Sequence, residues 1–268
     1  MNRVLRRLVI PRFLCAVAIL LCCGAAFAQD TLTLLNPPNN GDNAGGVYTS
    51  PYNINVYNGV TNTPMQLVCD DFTTDISVGE SWQADPTTLT DLTASSVMNL
   101  KFGNPSDEPA GTALMYANPD EDYAVAAVLV AQLMTTPGLS NDQVAGYSFA
   151  IWNLFHDGLV VSPTSCGDDP YGSLTAAQCS DAYNDLTTAA GLIGSGSGGY
   201  DLNNIVVNGQ SISSLTVYTP NPTSAAQEFL LVSMPEASFP AVLGADLLCV
   251  LGLIAFLRRR TMAHSKLS

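Results

Sequence analysis

Residues 121–134 have the sequence EDYAVAAVLVAQLM, and the prediction of the fold starts from this stretch. Its alanine, valine and leucine residues leave almost no polar face, which is typical of a buried helix. Acidic residues occupy the first turn, where the helix dipole favours them, and Pro137-Gly138 ends the segment. The sequence therefore predicts a buried helix over residues 121–134, inside a folded domain.

Two more helices are predicted on its C-terminal side, and strands on both sides. Ser140 or Asn141 can cap a helix that runs to about Phe155, and Ser173 can cap a helix from Leu174 to about Leu192. Asn208-Gly209 is typical of a hairpin turn. The strand candidates are residues 31–35, 54–57, 65–69, 74–82 (with a turn at Gly79), 216–219 and 228–232. The predicted fold class is α+β: a β-rich domain with a central group of about three helices, plus one C-terminal transmembrane helix.

Charge is distributed very unevenly along the chain. The 268 residues contain 9 Lys+Arg and 23 Asp+Glu, a net charge of −14. Between residues 29 and 233 the only cation is Lys101, and this stretch carries a net charge of −20. Such a surface repels phosphate backbones, which excludes nucleic acid as the main partner.

The N-terminus has the features of a secretory signal. Basic residues precede an apolar run from Phe13 to Cys23, and Ala26-Phe27-Ala28 supplies the small residues of a cleavage site. We expect a signal peptide over residues 1–28, use of the export machinery, and cleavage before Gln29. The alternative is an uncleaved N-terminal anchor.

The C-terminus has the features of a membrane stop. Residues 239–257 form an apolar run with one charge, Asp246, and Arg258, Arg259 and Arg260 follow as a basic stop. Nineteen helical residues rise about 28 Å, enough to cross the hydrocarbon core. We expect a transmembrane helix at residues 239–257 with a cytoplasmic tail over residues 261–268. A buried C-terminal helix of the domain is the alternative.

This tail resembles the PEP-CTERM sorting signal of bacterial surface proteins, which combines a short Pro-Glu-Pro motif, a membrane span and a basic cluster. Pro235 and Glu236 match the motif, while its second proline is replaced by Ala237. The resemblance implies that residues 234–260 are recognised by an exosortase, a membrane transpeptidase-like enzyme that would cleave near Pro235-Glu236. The protein would be anchored in the inner membrane by its C-terminal helix before processing, and then reach the cell surface or the extracellular matrix.

The exported domain, residues 29–233, resembles the thioester domains of Gram-positive surface adhesins. The similar segments are Gly46-Val47-Tyr48-Thr49-Ser50-Pro51-Tyr52, Leu67-Val68-Cys69-Asp70-Asp71-Phe72, Gly79, Trp82 and Ala150-Ile151-Trp152. In that family a strand cysteine bonds to a glutamine two residues before the Ala-Ile-Trp segment. Cys69 matches the cysteine, but Ser148 stands at the glutamine position. A hydroxyl cannot supply the acyl carbon, so we expect a domain without the thioester and a buried Cys69.

Export makes disulfides possible for the remaining cysteines. Cys166 lies in a loop and Cys179 in the following predicted helix, so a bridge between them would close a short loop. We expect this disulfide, with two free thiols as the alternative.

The domain offers little for catalysis or metal binding. Ser148 and its single histidine, His156, lie about two helical turns apart, too far for a nucleophile and its base. Four acidic clusters could supply oxygen ligands for Ca²⁺: Asp70-Asp71, Asp107-Glu108, Asp120-Glu121-Asp122 and Asp168-Asp169. None of them has the spacing of a calcium-binding loop, so we expect these residues to form a solvated acidic surface. We predict no cofactor and no metal site.

The hypothesis is therefore a non-enzymatic, exosortase-sorted protein with a role in surface or matrix structure or in adhesion, with an exopolysaccharide as a further partner. The alternatives are a thioester-type covalent adhesin whose Cys69 has another partner, or a carbohydrate- or ice-binding module. Trp82 and Trp152 could stack on sugars, although the helical spacing of Trp152 favours a core position.

Overall fold

A computed structural model describes residues 29–36, 43–44, 46–104, 118–156, 160–162, 166–167, 174–194 and 199–235. The predicted signal peptide, the transmembrane helix, the basic stop and the cytoplasmic tail lie outside these residues, as does Glu236. Among the residues described, no helix has both the length and the apolar character needed to span a membrane.

The described residues form strands and helices in one continuous order along the chain. The strands are β1 (Asp30–Asn36), β2 (Asn43–Ala44), β3 (Val47–Tyr48), β4 (Tyr52–Tyr57), β5 (Asn62–Cys69), β6 (Ser81–Leu89), β7 (Asp91–Leu92), β8 (Val160–Val161), β9 (Cys166–Gly167), β10 (Tyr200–Asp201), β11 (Val206–Val207), β12 (Gln210–Ser211), β13 (Ser214–Pro220) and β14 (Phe229–Ser233). The α-helices are α1 (Ala94–Val97), α2 (Pro119–Thr135), α3 (Asn141–Phe155) and α4 (Ala176–Ile193), and a 3₁₀ turn covers Leu202–Asn204.

Six strands close into an antiparallel barrel in the order β1, β4, β5, β14, β13, β6, and β6 pairs back to β1. Alternate residues of these strands point inward and, together with Ala226 before β14, form one core: Leu32, Leu34, Tyr52, Ile54, Val56, Leu67, Cys69, Trp82, Ala84, Tyr218 and Phe229. Closure removes the free edges that an open sheet would expose. Cys69 belongs to this barrel core.

The helices build a second core against the outside of the barrel. Helix α2 is buried along almost its whole length, as residues 121–134 predict. It packs with α3, α4 and the outward residues of the barrel strands, such as Val68 and Leu230. Helix α3 begins at the capping Ser140, as predicted, whereas α4 is capped by Thr175, whose hydroxyl accepts from the Gln178 N–H at 3.2 Å.

The β-rich architecture with a central group of helices agrees with the predicted class. The strand expected over residues 74–82 is wrong over most of its length, because residues 70–80 form a loop and β6 begins at Ser81. Asp71 causes this, since its Oδ1 accepts from the N–H groups of Thr73 at 2.9 Å and Thr74 at 3.2 Å, and such local bonds compete with strand pairing. The predicted turn at Gly79 is present, with a φ of 85° and an N–H bond to the Leu34 carbonyl.

Candidate functional site

Cys69 ends strand β5 with its side chain fully buried and its thiol free. The thiol donates to the Asp71 carbonyl at 3.2 Å. Burial raises the pKa of the Cys69 thiol well above its ordinary value, and the nearby carboxylates of Asp71 and Asp70 add to this, against a smaller opposing effect of the Trp152 indole. The neutral thiol is therefore favoured, which makes Cys69 a weak nucleophile.

A short chain of hydrogen bonds joins Cys69 to Ser148, the two residues that the sequence places at the thioester positions. The Cys69 N–H donates to Ser50 Oγ at 3.0 Å, and the Ser50 N–H donates to Ser148 Oγ at 2.9 Å. The Ser148 hydroxyl donates to the Val144 carbonyl at 3.1 Å. The structure thus brings β5 and α3 together at this point. Ser50 lies in a stretch that carries the resemblance, but nothing in the sequence indicates its bridging role.

A pocket of about 530 Å³ opens beside this site. Four aromatic side chains contribute to its wall: Tyr48, Tyr52, Phe72 and Trp152. Tyr48 is 46% exposed, while Trp152 is 2% exposed and stands against Phe72 at 5.1 Å between ring centroids. The acidic residues Asp71 and Asp75 also line the pocket, and Asp75 is exposed. A volume of this size suits a small-molecule or oligomeric ligand.

Gln227 lies in the pocket wall with an unused acceptor. Its Nε2 donates to the Asp71 carbonyl at 3.2 Å, the same oxygen that accepts from the Cys69 thiol. Its Oε1 is buried and has no hydrogen-bond partner. Buried polar atoms are nearly always paired, so this oxygen indicates a place where a ligand can donate. The sequence gives no signal for Gln227, because its place follows from the pairing of β14 with β5.

A buried cluster of charges lies behind the pocket, and it corrects one sequence prediction. Asp70 and Asp71 are fully buried, so they do not belong to a solvated acidic surface, and Asp120 and Asp122 are buried as well. Lys101 is 4% exposed, and its ammonium donates to Asp71 Oδ2 at 2.5 Å. The loop that follows a barrel strand turns inward here, which the pattern of acidic residues does not reveal. The Asp107-Glu108 and Asp168-Asp169 clusters lie outside the described residues.

Glu228 completes this cluster. It accepts from Tyr123 and Thr219 hydroxyls at 2.5 Å each and from the Lys101 N–H at 3.0 Å. Burial raises the pKa of Asp70 well above its ordinary range, and the charges of Glu228 and Asp71 raise it further. The neutral form of Asp70 is therefore favoured.

The remaining sequence candidates have structural positions. Gly146, two residues before Ser148, allows α3 and α4 to approach, because a Cβ there would lie 3.0 Å from the Asp181 Cβ. His156 is the C-cap that follows α3, and its ring contacts that of Phe72 at 5.5 Å between centroids. Trp82 is 6% exposed and stacks on Phe229 in the barrel core. Within the described part of the chain, no group of three or more potential ligands could hold a metal ion.

The structure describes only one of the two cysteines of the predicted disulfide. Cys179 is buried in α4 and is held in a disulfide. The side chain of Cys166 lies outside the description, so the pairing of Cys166 with Cys179 stays a prediction.

Comparisons with known proteins assign no family to this chain. No protein family model matches the chain, and no curated protein matches it. Among solved structures, the chain is similar to the N-terminal domain of the Streptococcus pyogenes pilus tip adhesin Cpa, at 11% sequence identity and a TM-score of 0.40. The match covers 78% of this chain and 95% of that chain. A likeness at this level assigns no role to any residue here.

Proposed function

We propose that this chain is a non-enzymatic, exported surface or matrix protein that binds a glycan of the exopolysaccharide type, without a covalent bond, in the pocket beside Cys69. The pocket and its unpaired Gln227 oxygen are the observation that carries the proposal. Its other partners are the export machinery, the membrane and an exosortase, which would act on Pro235-Glu236.

The proposed export of the protein and its sorting to the cell surface are supported by the sequence alone. The N-terminal basic and apolar segments are typical of export, and the order of Pro235-Glu236, residues 239–257 and Arg258-Arg259-Arg260 resembles the sorting signal. Exosortase processing predicts an exported form that ends near Pro235. Arg258 retained in the surface form of the protein would contradict this part of the proposal.

The chemistry of the pocket favours a polyhydroxylated ligand. A sugar ring has an apolar face that can stack on an aromatic side chain, and the exposed Tyr48 presents one at the pocket. Sugar hydroxyls can donate to the Gln227 Oε1 and to the exposed Asp75 carboxylate. Anionic glycans fit poorly, because the exposed Asp75 carboxylate at the pocket would repel them. We therefore expect a neutral glycan.

Titration of the purified protein with neutral and anionic oligosaccharides tests this proposal, with Trp152 fluorescence as the signal. We expect saturable binding of a neutral glycan that Tyr48→Ala weakens about tenfold, the loss of about 1.4 kcal/mol of binding energy. Tyr57→Ala is the matched control, because Tyr57 is an exposed tyrosine on β4 outside the pocket. Equal affinity of both variants and the unaltered protein would contradict the proposed site.

One observation favours a second candidate, a covalent adhesin with a relocated acyl donor. The Cys69 thiol and the Gln227 amide both donate to the Asp71 carbonyl, which brings a thiol and a carboxamide to one point. Attack of Cys69 Sγ on Gln227 Cδ would form a thioester and release ammonia. The high pKa of the buried thiol opposes this step, so it ranks second.

The two candidates differ in how the protein responds to methylamine. A Cys69–Gln227 thioester would add one methylamine, and both Cys69→Ala and Gln227→Glu would abolish the addition. The non-covalent proposal predicts no addition to the unaltered protein. Methylamine addition at Gln227 would replace the leading proposal with the covalent one.

A further inference from the structure

The directions of the barrel strands place the entry and the exit of the chain at the same end of the barrel. Strand β1 begins at Asp30 and reaches the pocket at Leu34. Strand β14 begins at Phe229, which pairs with Cys69 beside the pocket, and it runs away from the pocket to Ser233. The chain therefore enters and leaves the barrel at the end opposite the pocket, and we call this end the base.

The turn between β4 and β5 lies at the base as well. Tyr57, the last residue of β4, pairs with Thr31 near the start of β1. The connection to β5 follows directly, and Asn58 Oδ1 fixes its conformation by accepting from the Val60 N–H at 3.1 Å. We call residues 57–61 the base hairpin. Its backbone is thus held at the same end of the barrel from which the chain departs.

The base hairpin presents apolar side chains and no charge. Val60 is 84% exposed, the largest exposed fraction among the large apolar side chains that the structure describes, and Tyr57 is 39% exposed. Residues 43–69 contain no charged side chain, although the domain around them is strongly acidic. Tyrosine is enriched at membrane–water interfaces, where its ring lies at the level of the headgroups. The hairpin therefore has the composition of a segment that contacts lipid.

The C-terminal span expected from the sequence brings a bilayer to the base. This span, residues 239–257, begins four residues after Pro235, which follows β14 closely. Four extended residues reach at most about 14 Å, so the base stands near the membrane surface in the anchored form. Anionic headgroups repel the acidic surface of the domain, but the uncharged base hairpin is not subject to this repulsion.

We propose that the base hairpin inserts the Tyr57 and Val60 side chains into the interface of the lipid bilayer in the anchored form, so that the pocket faces away from the membrane. This inference rests on the proposed anchoring by the C-terminal helix. Anchor and hairpin together give the domain two points of attachment, which fix its orientation. The pocket then opens toward the medium in which a glycan is met, while Pro235 is held at the membrane surface, where an exosortase would act.

Quenching of an introduced indole by a brominated lipid tests this contact. The exported chain, produced without an exosortase so that its C-terminal segment is retained, is placed in phosphatidylcholine nanodiscs with or without bromine on the acyl chains. Val60→Trp puts the indole on the base hairpin, and Val78→Trp is the matched control, because Val78 is a 55% exposed valine in the pocket wall. The buried Trp82 and Trp152 give a constant background, measured on the unaltered protein.

The expected results follow from the opposite positions of the two valines. Interfacial side chains enter about 5–10 Å into the boundary of headgroups and acyl chains, so Val60→Trp should lose about half of its added fluorescence in brominated discs. Val78→Trp should lose none. Thr63→Trp, at an exposed position of β5 beside the hairpin, provides a second probe that should also be quenched. Unchanged melting temperatures check that each variant folds.

The outcomes separate this inference from the proposed function. If the chain stays in the discs and neither Val60→Trp nor Thr63→Trp is quenched, the hairpin contact is wrong, while the anchoring and the glycan site stand. If the chain does not stay in the discs, the anchoring is wrong and the hairpin contact with it. An indole at position 60 that is shielded from aqueous iodide but not quenched by bromine would indicate a second copy of the chain on the hairpin, which would also overturn the proposal.

Discussion

At the scale of single residues, the most informative one is Lys101. The sequence identifies it as the only cation between residues 29 and 233, and lysine side chains are seldom fully buried unless they are paired. The structure places it inside, next to Asp71 and close to Asp70 and Glu228. The sequence could not reveal this, because the four residues come from three segments that are distant in the chain. The pairing of Lys101 with Asp71 forms only on folding.

Replacement of Lys101 should therefore be strongly destabilising. Lys101→Met leaves the Asp71 carboxylate buried without a cation, and breaking a buried pair in this way costs about 3–5 kcal/mol. Lys101→Met combined with Asp71→Asn no longer buries an uncompensated charge, so this double variant should lose less stability. Urea unfolding measures both variants. Equal losses would show that the charge of Asp71 is not the cause.

Ser148 should matter for packing and not for chemistry. It accepts the Ser50 N–H, and Ser148→Ala would leave that buried donor without its acceptor at a cost of about 1–3 kcal/mol. The same change should leave glycan affinity within about twofold, because Ser148 does not line the pocket. Unfolding curves and binding titrations on one preparation check the two statements together. Loss of binding without loss of stability would contradict this role.

At the scale of elements, the sequence predicts the helices and the hairpin well, but it does not predict the closure of the six strands into a barrel. The helices α2 and α3 and the Asn208-Gly209 hairpin follow from nearby residues, and all are present. The barrel depends on pairings between distant strands, such as β5 with β14, that no local pattern contains. The pocket and the partners of Cys69 follow from those pairings. The sequence therefore identifies Cys69 and Ser148 as residues of the candidate site. It does not identify Ser50, Gln227 or Lys101.

Gly103 should be essential for the segment that carries Lys101. An added Cβ would lie 1.7 Å from the Val97 carbonyl oxygen of α1, an overlap that only backbone movement can relieve. We expect Gly103→Ala to destabilise the domain by about 3 kcal/mol or more. Gly191→Ala in α4 is the matched control, because nothing lies within 4 Å of its added Cβ. It should be neutral or stabilising by up to about 1 kcal/mol. Thermal unfolding compares them, and a neutral Gly103→Ala would contradict the close packing.

At the scale of the whole molecule, the acidic charge should make the domain more stable in mild acid. Burial and the neighbouring Asp181 raise the pKa of Asp185 to about 7, and the pKa of Asp70 is raised as well. The folded state therefore binds protons that the unfolded state has released, so stability falls as pH rises from about 4 to 7. Because Asp185 is partly exposed, its share is about 1 kcal/mol, or a melting-temperature shift of about 2–4 °C.

Melting curves between pH 4 and pH 8 measure this dependence. Asp185→Asn should flatten the curve in the window below pH 7, since it removes one of the two groups. Stability that increases with pH across the window would contradict the assignment.

The measurement that tests the central claim most directly is an accurate mass of the exported protein before and after methylamine. The claim is that Cys69 carries no thioester and that the pocket beside it binds its ligand without a covalent bond. We predict that methylamine adds no mass to the protein. Cyclisation of Gln29 at the new N-terminus does not change this result, because the resulting ring does not react with the amine. A single methylamine addition, mapped to Gln227 and abolished by Cys69→Ala, would contradict the claim.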